Sequence, residues 1–145
     1  MFDREYSTVI KCPVGEVLAY VTDPARVPEW TPMIDEVRVD PPGPLGVGSK
    51  ISQTYRGREE VWQVTAYEPD SYSKYETEYW NTEEEVTYRV EPVEDGTRFT
   101  IHDRGDRRGL VRLIGPVLDR YYIHHRKRQL AIIKEALEGG GAAGE

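Results

Sequence analysis

Polar and apolar residues alternate with period two from position 5 to 12, the pattern of a strand with one buried face, and Pro13 stops it. The period then lengthens. Val14, Val17, Leu18 and Val21 fall at i, i+3, i+4 and i+7, with a proline at the start and Glu16 near the positive end of the dipole, which predicts a short helix. Asp23 and Pro24 repeat the start signal, but Pro28 and Pro32 leave room only for a brief second helix containing Trp30. Strand-like runs follow at 34–40, 49–56, 60–67, 72–80, 84–93 and 97–103, separated by turn chemistry at 41–48, Gly57, 69–71, Asn81 and Asp95-Gly96. Turns this short join antiparallel neighbours, because parallel strands need crossovers of a dozen or more residues. Helical spacing returns from 110 to 137, with a kink or fresh start expected at Gly115-Pro116. The expected domain is 1–138, and 139–145, a Gly-rich stretch, reads as a flexible tail.

A chain of 145 residues can bury one real core. Ten of its aromatic residues are tyrosines, which combine large apolar area with a hydroxyl. The net charge of −7 argues against a nucleic-acid partner. Charge is unevenly spread: 59–95 holds 12 acidic and 2 basic residues, whereas 98–134 holds 10 basic and 3 acidic. Within the basic half, Arg104, Arg107, Arg108 and Arg112 lie where the last strand passes into the helix, and are expected near a cavity mouth, in weak contact with anionic ligands or surfaces. Cys12 is the only cysteine, so no internal disulfide can form, and no apolar run is long enough for a signal sequence or membrane span. A cytoplasmic location is the resulting expectation.

The segments CPVGEVLAYVTDPARVPEW, PLGVGSK, DGTRFT and RKRQLAIIKEALE, in this order, resemble the START-like (SRPBCC) superfamily, and within it the polyketide cyclase/dehydrase type. The resemblance implies an α+β helix-grip fold, in which a seven-stranded curved antiparallel sheet, two short helices and a long C-terminal helix enclose a cavity. These are scaffold motifs, and the superfamily hosts carriers, cyclases, sensors and co-chaperones on one architecture, so a cavity is implied and a reaction is not.

Several chemistries find little support. GPLGVGSK has the glycine spacing of a phosphate loop, but Ser49 precedes Lys50 and a strand follows instead of a helix. His124 and His125 point about 100° apart on a helix, and Cys12 lacks a zinc-like partner spacing, so neither metal nor cofactor is expected. Strand alternation says more. It turns Ile51, Gln53 and Tyr55, then Trp62, Val64 and Ala66, then Tyr75, Thr77 and Tyr79, then Val86, Tyr88 and Val90, and finally Phe99, Ile101 and Asp103 toward the concave face. Winding the last helix centres Leu118, Ile132 and Ala136 on its apolar stripe with His125 between them and Gln129 one turn on, and sets His124 and Arg126 to either side.

The expected ligand-binding set is therefore Gln53, Tyr55, Trp62, Val64, Tyr75, Tyr79, Tyr88, Val90, Ile101, Asp103, Leu118, Tyr121, His125 and Gln129, with His125, Asp103 and Tyr88 as candidates for acid–base work. The reading that follows first is a binder of a small hydrophobic or aromatic, lipid- or polyketide-like molecule. An aromatic polyketide cyclase or dehydratase is the alternative implied by the resemblance, and an interaction module without ligand the second.

Overall fold

The computed structural model describes residues 1–68, 71–79 and 81–143, with side chains through Gly139. Among them, β1 (Phe2–Ile10) leads into α1 (Val14–Thr22), a 3₁₀ turn (Pro24–Arg26) and α2 (Val27–Trp30). The meander is β2 (Ile34–Asp40), β3 (Lys50–Tyr55), β4 (Arg58–Glu68), β5 (Tyr72–Tyr79), β6 (Thr82–Val93) and β7 (Gly96–Arg107). A 3₁₀ segment (Gly109–Ile114) precedes α3 (Gly115–Ala143). Pro69, Asp70 and Trp80, part of the turn and strand end expected there, lie outside the described residues. The helix continues past Glu138, where the sequence reading ends the domain; of the expected tail, Gly144 and Glu145 lie outside the described residues.

Every strand pair is antiparallel, in the order β1-β7-β6-β5-β4-β3-β2, so the first strand closes the meander on its last member. This is the expected seven-stranded helix-grip sheet. Register shifts at Asp35/Val37 and Val64/Ala66 add a residue to one strand of each pair, which bends it and increases local twist. Ile10, Val17, Leu18, Val21, Val90, Phe99, Ile101, Leu130 and Ile133 form a solid core between α1, the β6–β7 end of the sheet and the second half of α3. A smaller cluster of Ile51, Val64 and Tyr75 fills the β3–β5 end of the same face.

Gly96 opens β7 at φ +145°, and a Cβ there would stand 2.2 Å from the Ile10 carbonyl oxygen. Gly96→Ala is expected to cost about 2 kcal/mol, from a strained backbone and a forced separation of β1 from the β6–β7 turn. Urea unfolding measures it, and a loss below about 0.5 kcal/mol would refute it.

One expectation about α3 is corrected. Its buried line is Arg126, Gln129, Leu130 and Ile133, rotated by most of one residue's ~100° from the predicted stripe centre. Hydropathy alone pushes Arg126 to the side, whereas a buried carboxylate partner pulls it inward.

Candidate functional site

Between the sheet and α3 lies a cavity of about 120 Å³, partly open to solvent. Its walls come from α1 and the segment after it (Val21, Thr22, Pro24, Val27, Trp30, Thr31), from β2 to β6 and from α3. Of the predicted set, Gln53, Tyr55, Trp62, Tyr75, Tyr79, Tyr88, His125 and Gln129 line it. Val64, Val90 and Ile101 do not, because they are packed into the two cores. Tyr88 covers them: its ring sits 5.8 Å from Phe99, 5.1 Å from Tyr75 and 5.9 Å from Trp30. Leu118 is half-buried and not part of the wall, and Tyr121 is an exposed residue whose hydroxyl bonds to that of Tyr55.

Asp103, expected among the ligand-binding residues, is placed behind the wall, where its partner is Arg126. Arg126 donates to it through Nε at 2.9 Å and Nη2 at 2.8 Å, a bidentate pair in which both side chains are buried. The third guanidinium nitrogen donates to Gln129 Oε1 at 2.7 Å, and Gln129 Nε2 donates to Thr31 Oγ1 at 2.9 Å. One chain of polar groups thus ties β7 through α3 to the end of α2. The sheet brings Asp103 here because it pairs with Val86 and shares its face.

Glu84 completes the polar end. It lies two residues before Val86 on the same face and accepts a hydrogen bond from Tyr79 Oη at 2.8 Å, while Arg126 Nη2 stands 3.9 Å away. Arg126 favours the ionised carboxylate, but its fork is spent on Asp103. Burial, with the neighbouring Asp103 charge added, wins and pushes Glu84 up to about 7. Burial likewise raises the hydroxyls of Tyr79, Tyr88 and Tyr122, so all three are protonated donors at neutral pH. Glu60, close enough to add to the rise of Glu84, accepts from Gln53 at 3.2 Å, Arg58 at 3.2 Å and Trp62 at 3.4 Å. Buried Trp30 leaves its indole N–H without a partner among the described residues.

His125 reaches the cavity but not Asp103. Its ring lies 5.9 Å from Tyr55, edge to face, and stacks on Tyr121 at 6.0 Å. Burial and the adjacent Arg126 lower it to about 4, so it is a neutral ring at pH 7 and a poor proton shuttle there. The His125 imidazole is therefore expected to show constant NMR shifts from pH 8 down to about 5.5. A midpoint near 6.5 would contradict its burial.

The basic segment before the helix is corrected as well. Arg104 pairs with Asp3 at 3.5 Å, Arg107 with Asp119 at 2.8 Å, and Arg108 with Glu83 at 3.3 Å and Glu78 at 3.6 Å. None of the four arginines lines the cavity. β7 runs on to Arg107, which places the first two within the sheet and in reach of β1 and α3. The Cys12 thiol is buried, donates to Glu16 at 2.9 Å and is pushed up to about 12 by burial and that carboxylate, the opposite of an activated nucleophile. Among the described residues no group of three or more His, Cys, Asp or Glu is placed to hold a metal ion, and no helix is long and apolar enough to cross a membrane.

The wall residues that sequence reasoning missed include Glu84, Glu60, Arg126 and Tyr122 on the sheet and α3, and Val21, Val27, Trp30 and Thr31 from the helical segment before the meander. Parity carried the signal for the first two, since Glu84 alternates with Val86 and Tyr88, and Glu60 with Trp62 and Val64.

A curved sheet gripped by a long helix around a tyrosine-rich, partly polar cavity defines a helix-grip cavity protein. More particularly, the chain belongs to the polyketide cyclase / dehydrase and lipid transport family, whose model matches residues 1–138. No curated protein matches it. Among solved structures it is similar to a protein of unknown function, SA2116 from Staphylococcus aureus, at 12% identity and a TM-score of 0.75, covering 97% of this chain and 96% of that one. The Aha1 dimer from Colwellia psychrerythraea gives 17% identity, a TM-score of 0.70 and coverage of 95% and 97%. DynU16 of the dynemicin biosynthetic locus gives 17% identity and a TM-score of 0.67 over 94% of this chain and 48% of that one. Likeness at these identities extends to the fold alone.

Proposed function

We propose that the protein binds a small aromatic or otherwise apolar molecule carrying one hydrogen-bonding group, held in the cavity with its apolar body against Trp30, Trp62, Tyr75 and Tyr88 and its polar group toward Glu84 and Tyr79. The observation that carries this reading is the wall itself: apolar rings on most sides, with an ionisable carboxyl and tyrosine hydroxyls converging at one end. A cavity of about 120 Å³ is close in size to one that takes benzene, so one ring fits without rearrangement and larger ligands must displace side chains. The unpartnered Trp30 N–H offers a ligand acceptor a further bond.

A second reading is favoured by Glu84 specifically. A carboxyl with a pKa of about 7 is present in both protonation states near neutral pH, so it can give a proton to, or take one from, an enolisable ligand beside it. This supports aldol closure or water loss on a polyketide-like substrate, in keeping with the family and with the biosynthetic locus of DynU16.

Calorimetric titration with p-cresol and 2-naphthol tests the binding reading. Saturable one-to-one binding is expected, and Val86→Phe, which fills the cavity from the middle of its sheet wall, is expected to abolish it while the variant stays folded by thermal unfolding. Absence of saturable binding to either probe, or binding unaffected by Val86→Phe, would overturn it.

A further inference from the structure

The helical spacing that opens the last helix serves no core. Leu110, Leu113, Ile114 and Val117 are 81%, 75%, 52% and 70% exposed, and with Tyr121 they recur at i, i+3, i+4, i+7 and i+11. Single exposed apolar residues are ordinary, but a stripe at helical period turned to solvent needs an occupant. Its flank is cationic: Arg112, Arg120, Lys127 and Arg128 are exposed, and the single acid between positions 108 and 128, Asp119, is committed to Arg4 and Arg107. Continuing the winding past Tyr121 brings exposed His124 and Arg128 along the same line, with exposed Arg120 and Lys127 beside it. Arg56 sits over the Tyr121 ring at 5.4 Å. The face is thus apolar over its first turns and basic along its next, and it meets the cavity wall through the hydroxyl bond between Tyr121 and Tyr55.

We infer that this face, from the 3₁₀ segment Gly109–Ile114 into the first turns of α3, docks on an anionic lipid surface. Leu110, Leu113, Ile114 and Val117 enter the boundary between headgroups and acyl chains, and Arg120, Lys127 and Arg128 lie at headgroup level. Charge complementarity selects this occupant: in a chain of net charge −7, the one exposed apolar helical stripe among the described residues is bordered by cations, while the acidic residues cluster at 59–95 on β4 to β6. Docking there puts the Tyr55–Tyr121–His125 corner of the cavity against the bilayer, a route for a lipophilic molecule that avoids water. The inference goes beyond the binding reading and does not depend on it, since vesicle binding needs no cavity ligand.

The test is sedimentation of the full chain with vesicles of phosphatidylcholine alone or with about one third phosphatidylglycerol, at about 0.1 M and 0.5 M salt, where screening lengths are ~10 Å and shorter. Binding is expected to the anionic vesicles at the lower salt, tenfold or more weaker for neutral vesicles, and lost at the higher salt. Leu113→Ser with Val117→Ser is expected to weaken it at least tenfold, and Arg120→Glu with Arg128→Glu to remove the anionic preference. All these residues are exposed, so melting temperatures should match the wild type. Light scattering is expected to report a monomer. Failure of the wild type to pellet with anionic vesicles, pelleting unaffected by the serine variant, or a dimer that the serine variant splits would each overturn the inference, the last by making a second copy the occupant.

Discussion

Arg126→Met is expected to destabilise the fold by about 3–5 kcal/mol at pH 8. Methionine keeps most of the apolar stem, so little packing is lost. What is lost is the only cation that the buried Asp103 carboxylate touches among the described residues and the cation nearest Glu84, together with the donor that orients Gln129 toward Thr31. Two carboxyls would then share a site shielded from water with no positive charge, which raises the cost of ionising either. Acid relieves this, because a protonated carboxyl has no buried charge to compensate. The destabilisation is therefore expected to shrink at pH 5, and Arg126→Met with Asp103→Asn to recover part of it at pH 8. Urea unfolding at both pH values measures each quantity. A loss under about 1 kcal/mol, or one equal at the two pH values, would show that the pair is solvated and not structural.

The scaffold was legible because each change of hydrophobic period has a local cause. Pro13 stops a strand and starts a helix, Asp23 caps the turn at Pro24 by accepting from the Ala25 N–H at 3.0 Å, and glycines at positive φ mark the turns at Gly57 and Gly96. Alternation also sorted the strand faces correctly for Gln53, Trp62, Tyr75 and Tyr88, since a one-residue slip would turn each of them to the other face.

The polar end was not legible in the same way. Glu84 shares parity with Val86, but a run of three glutamates reads as a solvated strand end unless a partner is known, and the partners Tyr79, Arg126 and Asp103 come from three other elements. Arg126 was set to the side of the helix because hydropathy scores its charge and ignores its apolar stem and its bidentate acceptor. His125 lies on the wall, yet the group poised near neutral pH is Glu84. Both groups are shifted by burial, which lowers the base and raises the acid, so the same desolvation takes the histidine away from neutral pH and brings the glutamate to it. The exposed stripe at Leu110 to Val117 shows the converse limit: periodicity reports an apolar face without saying whether the chain itself covers it.

Glu84→Gln is expected to stabilise the protein at pH 8 by about 3 kcal/mol and to leave stability near pH 4 almost unchanged. The folded carboxyl sits at about 7 against an ordinary 4.5, so between those values the folded state holds a proton that the unfolded state has released. Proton uptake by the folded state means that stability falls as pH rises through this window, by about 1.4 kcal/mol for each pH unit crossed, and is flat again above about pH 7. Glutamine cannot ionise, so it escapes this loss, and its Oε1 still accepts the Tyr79 hydroxyl. The wild-type minus variant difference in unfolding free energy, measured from pH 4 to pH 9, should run from near zero to its full negative value with its main change between about 4.5 and 7. A difference that stays flat, or one that grows only above pH 8, would place the carboxyl at an ordinary pKa or outside the buried cluster. The position of this carboxyl beside Tyr79 on the cavity wall allows ligand contact or proton transfer. The same variant should therefore lose any pH dependence of p-cresol binding between pH 6 and pH 8, and an unchanged dependence would move that proton to another residue.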